Sequence, residues 1–355
     1  MPNTLNQTQI SQQSTWIEIR LDRLLENLYE MKSKQPSYTK VMAVVKANAY
    51  GHGLREIANT LAPHVNYLGV SSVVEALDLR ERNIAAPIFL FGRLLPSELP
   101  PVITAGITLC VSSLEEAVEI SELSGALSKR TKIHIKVDTG MGRLGMHYDE
   151  ALKTIKKIAV LKNIALEGIF THFPTAEKDD HFADEQLRQF ILLLDSLEKE
   201  GILFEFRHAS NSSGILKLKS PALNMIRPGL SLYGIYPDPN LENAASLSAI
   251  LSLKSRISFL KTIQPGESVG YGRSFIADHS LNIGILPIGY SHGYPFSCSN
   301  RSEVLYEGKR FKIAGRVSMD YLAVNFENYA PRVGDEVVLI GESGCEKIRA
   351  EEMAI

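Results

Sequence analysis

Between about residues 20 and 235 the chain alternates eight short apolar runs with amphipathic stretches, and no other feature limits its fold so strongly. The runs are VMAVVK (41–46), YLGVSS (67–72), PIFLFG (87–92), ITLCVS (107–112), KIHIKVD (132–138), ALEGIF (165–170), FEFRHA (204–209) and NMIRPG (224–229). Between them, Leu21, Leu24, Leu25 and Leu28 repeat at helical spacing, as do Ala183, Leu187, Phe190, Ile191, Leu194 and Leu197. In SLEEAVEISELSG, Ser113 stands three residues before Glu116 as in a capping box, and Gly125 predicts the stop of that helix. Strand and helix repeated eight times is the rhythm of a (β/α)8 barrel. A doubly wound sheet is the alternative, but it wants a glycine-rich fingerprint after the first strand, and KANAYGHG is not G-x-G-x-x-G.

After about residue 245 the pattern changes. LSLKSRISFLKTI, LNIGILPIG, EVLYEG, RFKIAGRV, LAVNF and DEVVLIG are β-rich runs separated by QPGE, EGK and PRVGDE, which carry turn chemistry. The expected organisation is an α/β barrel over 14–245 and a mostly-β domain over 246–355, with residues 1–13 joining the latter and WIEI (16–19) fitting either. A chain of 355 residues has room for both, on the rule of about 100–200 residues per domain.

Composition narrows the function classes. A formal net charge of −2 offers no basic domain, so no nucleic-acid partner is expected. The three cysteines, Cys110, Cys298 and Cys345, are far apart with no C-x-x-C pair and read as reduced thiols of a cytoplasmic protein. The first fifteen residues are polar and lack the basic and apolar regions of a secretory signal. No apolar run approaches the roughly 18 residues needed to span a bilayer, so a soluble protein without a membrane partner is expected.

In a barrel, the C-terminal ends of the strands build the active site. Here those positions carry Lys46 after strand one, Lys136 and Asp138 on strand five with Arg143 beyond, and His172 after strand six. Ser210, Asn211 and Ser212 follow strand seven, and Arg227 with Gly229 follows strand eight. The loops after strands seven and eight are a common phosphate site in barrels. ASNSSG opens a helix there, suited either to an anion or to an ordinary N-cap, and RPGL permits close backbone approach at Gly229. Lys46 has three readings: a buried ion pair, which leads on position alone, a phosphate contact, or an imine-forming amine whose pKa is lowered by burial and neighbouring cations. A phosphate anchor opposite a reactive amine is what pyridoxal phosphate requires.

The segment AVVKANAYGHG resembles the cofactor-attachment motif of the alanine racemase family. So do KVDTGMGRLG (136–145), EGIFTHF (167–173), HASNSSG (208–214), IRPGLSLYG (226–234), VGYGRSF (269–275), PIGYSHGYP (287–295) and GRVSMDY (315–321), in family order from Trp16 to about Gly341. The resemblance implies a barrel followed by a β domain and a pyridoxal-phosphate-dependent interconversion of L- and D-alanine that supplies D-alanine for peptidoglycan. It nominates Lys46 to carry the cofactor, Tyr50, Asn211, Ser212, Gly229 and Leu230 to hold it with His172 nearby, and Arg227 to face its pyridine nitrogen. Inverting Cα needs a proton group on each face, and the resemblance assigns these to Lys46 and to Tyr271 of a partner subunit. A phenol is a poor base at neutral pH. His172 beside Arg227 is the expected helper, since positive charge favours phenolate; a hydrogen-bonded core histidine is its other reading. Arg143 and Met319 are assigned to the substrate, Arg143 gripping the carboxylate in the bidentate manner of a guanidinium. Lys136 matches a lysine that is carbamylated in some relatives, and Tyr290 and Asp320 would narrow the entrance. The implied assembly is a homodimer with active sites shared between subunits, and no metal is called for.

Two departures stand out. GYSHGYP carries Ser291 and His292 where the family often has a small residue and an acid, which alters the entrance electrostatics. The chain ends at RAEEMAI, where relatives continue through a helix and a strand bearing a phosphate-contacting tyrosine, so the β domain reads as truncated. The rival functions are a racemase of broader range, a barrel-fold decarboxylase and a non-catalytic pyridoxal-phosphate carrier. The decarboxylase wants an acid where Arg227 stands, and the carrier lacks both the β domain and Tyr271. A carbamate-lysine metal hydrolase wants an H-x-H pair after strand one, which is absent.

Overall fold

Eight parallel strands close on themselves: β1 (Lys40–Val44), β2 (Tyr67–Val70), β3 (Ile88–Leu90), β4 (Thr108–Val111), β5 (Thr131–Asp138), β6 (Ile164–Phe170), β7 (Phe206–His208) and β8 (Met225–Ile226). Each pairs with the next in order, and β8 returns to β1 through Met225 opposite Lys40 and Ile226 opposite Val41. The computed structural model describes residues 13–178 and 180–353. A helix follows each of β1 to β7, and Leu21–Ser33 precedes β1. All eight strands lie within or at the edge of the apolar runs. Their near-continuous apolar character has a simple cause: β2, β3 and β4 are buried at every position, because a barrel covers one strand face with its interior and the other with helices. The interior is packed rather than hollow, with Met42, Tyr67, Phe89, Cys110, Phe170, Phe206 and Met225 in one cluster.

Two local expectations change. Ser113 caps the helix Leu114–Ala126 by accepting from the Glu116 amide, but Glu116 returns its bond to the Ser112 amide rather than to that of Ser113. Gly125 lies inside that helix and does not end it. A Cβ there would stand 2.5 Å from the Asn163 side-chain nitrogen, which itself donates to the Ser121 carbonyl; close packing, not helix termination, is the role of this glycine.

Contacts divide the chain into a barrel unit, Leu21–Ser248, and a second unit joining residues up to 20 to those from 249 onward. The expected barrel start at residue 14 is therefore corrected: strand Thr15–Ile19 pairs antiparallel with Leu251–Arg256 of the second unit. Residues 1–12, expected to join the β domain, fall outside the described residues. The second unit is mostly β, with Leu251–Arg256 against Glu336–Ser343 and Phe259–Ile263, Leu281–Leu286 and Leu322–Asn325 in a three-stranded sheet. Its core gathers Ile257, Leu286, Tyr294, Phe311, Phe326 and Leu339, among others. At EGK, Glu307 and Gly308 both take positive φ, 47° and 74°, as a two-residue hairpin turn demands. The cysteines are free, Cys110 and Cys298 buried and Cys345 exposed. Among the described residues no helix is long and apolar enough to cross a membrane.

Candidate active site

Beyond β1 the backbone turns left-handed. Ala47, Asn48, Ala49 and Tyr50 have φ between 53° and 55°, a conformation that costs L-residues roughly 1–2 kcal/mol each. Backbone bonds from Ala49 to the Val45 carbonyl (2.9 Å) and from Gly51 to that of Ala47 (3.0 Å) hold the turn. Glu75 accepts from the Asn48 amide at 3.0 Å, and the Asn48 side chain accepts from the Leu54 amide at 2.8 Å. The turn sets Lys46 and Tyr50, four residues apart, on the wall of one cavity.

That cavity has a volume of about 420 Å³ and is lined by ten of the twelve strand-end and loop positions singled out in the barrel sequence: Lys46, Tyr50, Lys136, Arg143 and His172 at one group of strand ends, and Asn211, Ser212, Arg227, Gly229 and Leu230 at the other. Ser210 and Asp138 do not line it, and the Asp138 carboxylate instead accepts from the amides of Gly140, Met141 and Gly142. Four of the ten are Lys or Arg, and among the described residues no carboxylate lines the space. Ser212 Oγ accepts from the amides of Gly229 (3.0 Å) and Ser231 (3.3 Å) and lies 3.0 Å from Ser231 Oγ. A Cβ on Gly229 would stand 2.7 Å from the Tyr50 hydroxyl, so any larger residue there would have to displace that ring. Asn211 accepts from the Gly214 amide and donates to the Phe173 carbonyl; the N-cap reading of this residue holds alongside its place on the cavity wall.

Arg227 is 3% exposed, and its guanidinium meets two backbone carbonyls and two neutral imidazoles. Nη1 meets His208 Nδ1 at 2.8 Å; Nη2 donates to the carbonyls of Thr171 (2.9 Å) and Ala209 (2.8 Å) and meets His172 Nδ1 at 3.1 Å. The Phe170 ring lies 5.3 Å below the guanidinium and 5.6 Å from the Lys136 ammonium, and stacks on His208. A buried cation whose partners are all uncharged is costly. It leaves the cavity receptive to an anion.

Electrostatics follow from this crowding. Burial, then Arg143, lowers the pKa of Lys46, with Glu75 opposing. Burial also lowers that of Lys136, with Cys110 opposing and Arg143 and Arg227 adding to the effect. His172 is brought down to about 3 by burial and by Arg227, Lys136, Arg143 and Lys46. At neutral pH it is an uncharged imidazole whose Nδ1 accepts from Arg227, so its hydrogen sits on Nε2. The cavity thus offers two amines readied as nucleophiles, an anion cradle and a fixed guanidinium.

The family model described as alanine racemase, N-terminal domain, matches residues 19–237, and the one described as alanine racemase, C-terminal domain, matches 250–355. The chain belongs to the alanine racemase family. It is 40% identical over 343 residues to the alanine racemase of Halothermothrix orenii, covering 96% of this chain and 90% of the relative, and 40% identical over 349 residues to alanine racemase 2 of Bacillus subtilis, covering 96% and 88%. The solved alanine racemase of Clostridium difficile 630 superposes with a TM-score of 0.91 at 34% identity, covering 97% of this chain and 90% of that one. The Bacillus anthracis alanine racemase, solved with bound L-Ala-P, gives 0.87 at 32%, covering 96% and 89%. As a member of an isomerase family named for alanine, the chain is read as an amino-acid racemase.

The alanine racemase motifs outside the barrel lie in the second unit, and none of their residues lines the cavity. Tyr271 is 73% exposed, Met319 53% and Tyr290 46%, and Asp320 is also exposed. Tyr290 and Met319 belong to adjoining turns: the Tyr290 amide donates to the Ser318 carbonyl, and Ser291 Oγ donates to Met319 O (2.7 Å) and Asp320 Oδ1 (3.3 Å). Ser291 therefore ties these turns together. His292 accepts from the Gly289 amide.

Several residues of the site were not anticipated. Glu75 braces the left-handed turn. Ser231 completes the Ser212 cluster, and Tyr233 packs 4.9 Å from the Tyr50 ring while donating to the Val44 carbonyl. His208 holds Arg227. The motifs HASNSSG and IRPGLSLYG contain three of the four, and a histidine ending an apolar strand is the signal that points to His208.

Proposed function

We propose that the barrel cavity binds pyridoxal phosphate and that the enzyme interconverts L- and D-alanine by proton transfers on opposite faces of Cα. The observation that carries the reading is a cavity walled by Lys46, Arg143 and Arg227 with no carboxylate side chain among its described residues, in which burial lowers the Lys46 pKa opposite the Ser212–Gly229–Tyr50 cradle. That donor set fits the cofactor: an amine at one end and, at the other, hydroxyl and amide groups with a close-approach glycine for phosphate. Bound there, pyridoxal phosphate supplies the electron sink that lets a Cα proton depart.

The chain's own residues do the rest. Lys46 holds and returns the proton on one face, and Tyr271 of the partner subunit does so on the other. Arg143 grips the substrate carboxylate. Arg227 would face the ring nitrogen and donate to it without surrendering its proton, which would keep electron withdrawal modest and favour reprotonation over side reactions. Neutral His172, with its hydrogen on Nε2, stabilises the phenolate of Tyr271 by donating to it. The exposed Tyr271, Tyr290, Met319 and Asp320 serve a neighbouring barrel in a homodimer, so that the site is completed from two chains and admits a small side chain. The bound L-Ala-P of the Bacillus anthracis relative is in keeping with a substrate of that size.

Lys136 carries a carbamate in this reading. Its burial and cationic neighbours favour the neutral amine that carbon dioxide requires, and the resulting anion orients Arg143; intact mass of gently handled protein should show added carbon dioxide, and an unmodified Lys136 would refute the assignment. In this reading the enzyme is cytoplasmic and its D-alanine is supplied for cell-wall peptidoglycan.

The deciding experiment is spectroscopic and chemical. Purified protein should show an imine absorbance that Lys46→Ala abolishes, and should form D-alanine from L-alanine faster than it racemises serine or lysine. Protein that stays colourless after addition of pyridoxal phosphate overturns the cofactor assignment, and equal rates on serine overturn the substrate.

A further inference from the structure

Glu167 occupies a β-bulge. Between β5 and β6 the pairing steps from Ile133 opposite Leu166 to His134 opposite Gly168, leaving Glu167 without a residue across from it. Such a bulge re-aims a side chain, and the Glu167 carboxylate is 7% exposed inside the barrel. The next residue makes room for what it meets: a Cβ on Gly168 would stand 2.6 Å from the His134 ring.

From this carboxylate a line of hydrogen bonds runs to the active-site cavity. Glu167 Oε2 lies 3.2 Å from His134 Nε2, His134 Nδ1 lies 2.9 Å from His208 Nε2, and His208 Nδ1 lies 2.8 Å from Arg227 Nη1. Both rings are completely buried. Tyr67 and Lys132 also donate to the carboxylate. Burial would raise the Glu167 pKa, but the bonds from His134, Lys132 and Tyr67 bring it down to about 2, so it is an anion. Both imidazoles are held below their usual range, first by burial.

The line has one consistent protonation pattern. A guanidinium can only donate and an ionised carboxylate can only accept, while a neutral imidazole does one of each. Arg227 therefore requires a lone pair on His208 Nδ1, which places the His208 hydrogen on Nε2 facing His134 Nδ1; the His134 hydrogen then sits on Nε2 facing Glu167. We propose that Glu167 and His134 are positioning residues for Arg227: the carboxylate fixes both imidazoles as Nε2–H tautomers and thereby holds an acceptor against the guanidinium on the cavity wall.

Only the kinetic arm of the test rests on the racemase reading; the tautomers are read on the protein alone. In protein labelled with ¹⁵N-histidine, long-range ¹H–¹⁵N correlation spectra should show His134 and His208 as single Nε2–H tautomers, assigned by the signal lost in His134→Phe. Glu167→Met, which removes the acceptor, should introduce Nδ1–H forms at both rings and lower kcat by roughly 10–100-fold, the range that supporting residues carry at other sites, with KM little changed. Glu167→Gln, whose side-chain oxygen still accepts, should restore the tautomers and most of the rate. An Nδ1–H or mixed tautomer at either ring in the wild type overturns the proposal, whether or not Glu167→Met folds. So do unchanged tautomers in a folded Glu167→Met protein, and so does an unchanged kcat when the tautomers have shifted.

Discussion

Arg227 Nη2 and His172 Nδ1 stand 3.1 Å apart, and because the guanidinium can only donate, this bond dictates which nitrogen of His172 keeps its hydrogen. It also helps to keep the ring neutral. Burial is the largest cause of the low His172 pKa of about 3, and Arg227 is the first of the four cations that add to it. Replacing Arg227 with glutamine should therefore raise the His172 pKa while leaving it below the free value, since burial remains. NMR titration of the ring should find no protonation of His172 from pH 8 to 4.5 in the wild type and measurable protonation in Arg227→Gln; identical curves would show that the guanidinium does not govern this histidine.

Acid should destabilise the protein well before its carboxylates matter. His134, His172 and His208 all have pKa values lowered in the folded state, chiefly by burial. Unfolding lets each take up a proton near its ordinary pKa of about 6.5, so the unfolded state binds more protons than the native one as pH falls below that value. Stability is full above the unfolded pKa and declines beneath it, by up to about 1.4 kcal/mol per pH unit for each histidine. The decline continues toward the folded pKa, about 3 for His172. The exposed His279, raised by Asp278 and Glu327, acts in the opposite direction. Urea midpoints followed by circular dichroism should drop steadily between pH 6.5 and 5; a flat profile would contradict the buried neutral rings.

The strands were legible because burial on both faces leaves apolar runs that stop at polar residues, and those stops are the site: Lys46, His172 and Arg227 are conspicuous where they stand. Other features leave no such mark. Ala47, Asn48 and Ala49 read as ordinary small residues, and nothing in their spacing announces four consecutive left-handed conformations. Gly125 reads as a helix stop because its actual neighbour, Asn163, is distant in sequence. Glu167, His134 and His208 lie within strands whose apolar neighbours suggest core, and a bulge that turns a carboxylate inward is invisible to a count of alternating residues.

The approach of Gly229 to Tyr50 makes a steric prediction with a built-in rescue. Gly229→Ala would put a methyl group 2.7 Å from the Tyr50 hydroxyl. The ring has little room to yield, since Tyr233 packs against it with centroids 4.9 Å apart. Pyridoxal phosphate should bind Gly229→Ala at least tenfold more weakly, a loss of about 1.4 kcal/mol, and Gly229→Ala combined with Tyr50→Phe should recover part of that loss by removing the clashing oxygen. Equilibrium titration of apoprotein with the cofactor measures both. A double variant weaker than Gly229→Ala would mean that the Tyr50 hydroxyl contributes more as a ligand than it costs as an obstacle.

Ala47 separates stability from function at the left-handed turn. Its φ of 54° carries a Cβ penalty of roughly 1–2 kcal/mol, while glycine there would cost about 0.4–1 kcal/mol through the freer unfolded chain. Ala47 is exposed, so the exchange sacrifices no packing. Ala47→Gly should therefore raise the barrel's stability by about 0.5–1 kcal/mol, and Ala47→Val, whose branched Cβ fits this region worst, should lower it. The adjacent Lys46 makes the stabilisation costly for catalysis: relaxing the turn widens the range of positions open to its amine, so kcat should fall even as the urea midpoint rises. If Ala47→Gly lowers the midpoint instead, the bonds from Glu75, Asn48 and the backbone have already absorbed the strain, and the turn is held by its neighbours rather than held against a cost.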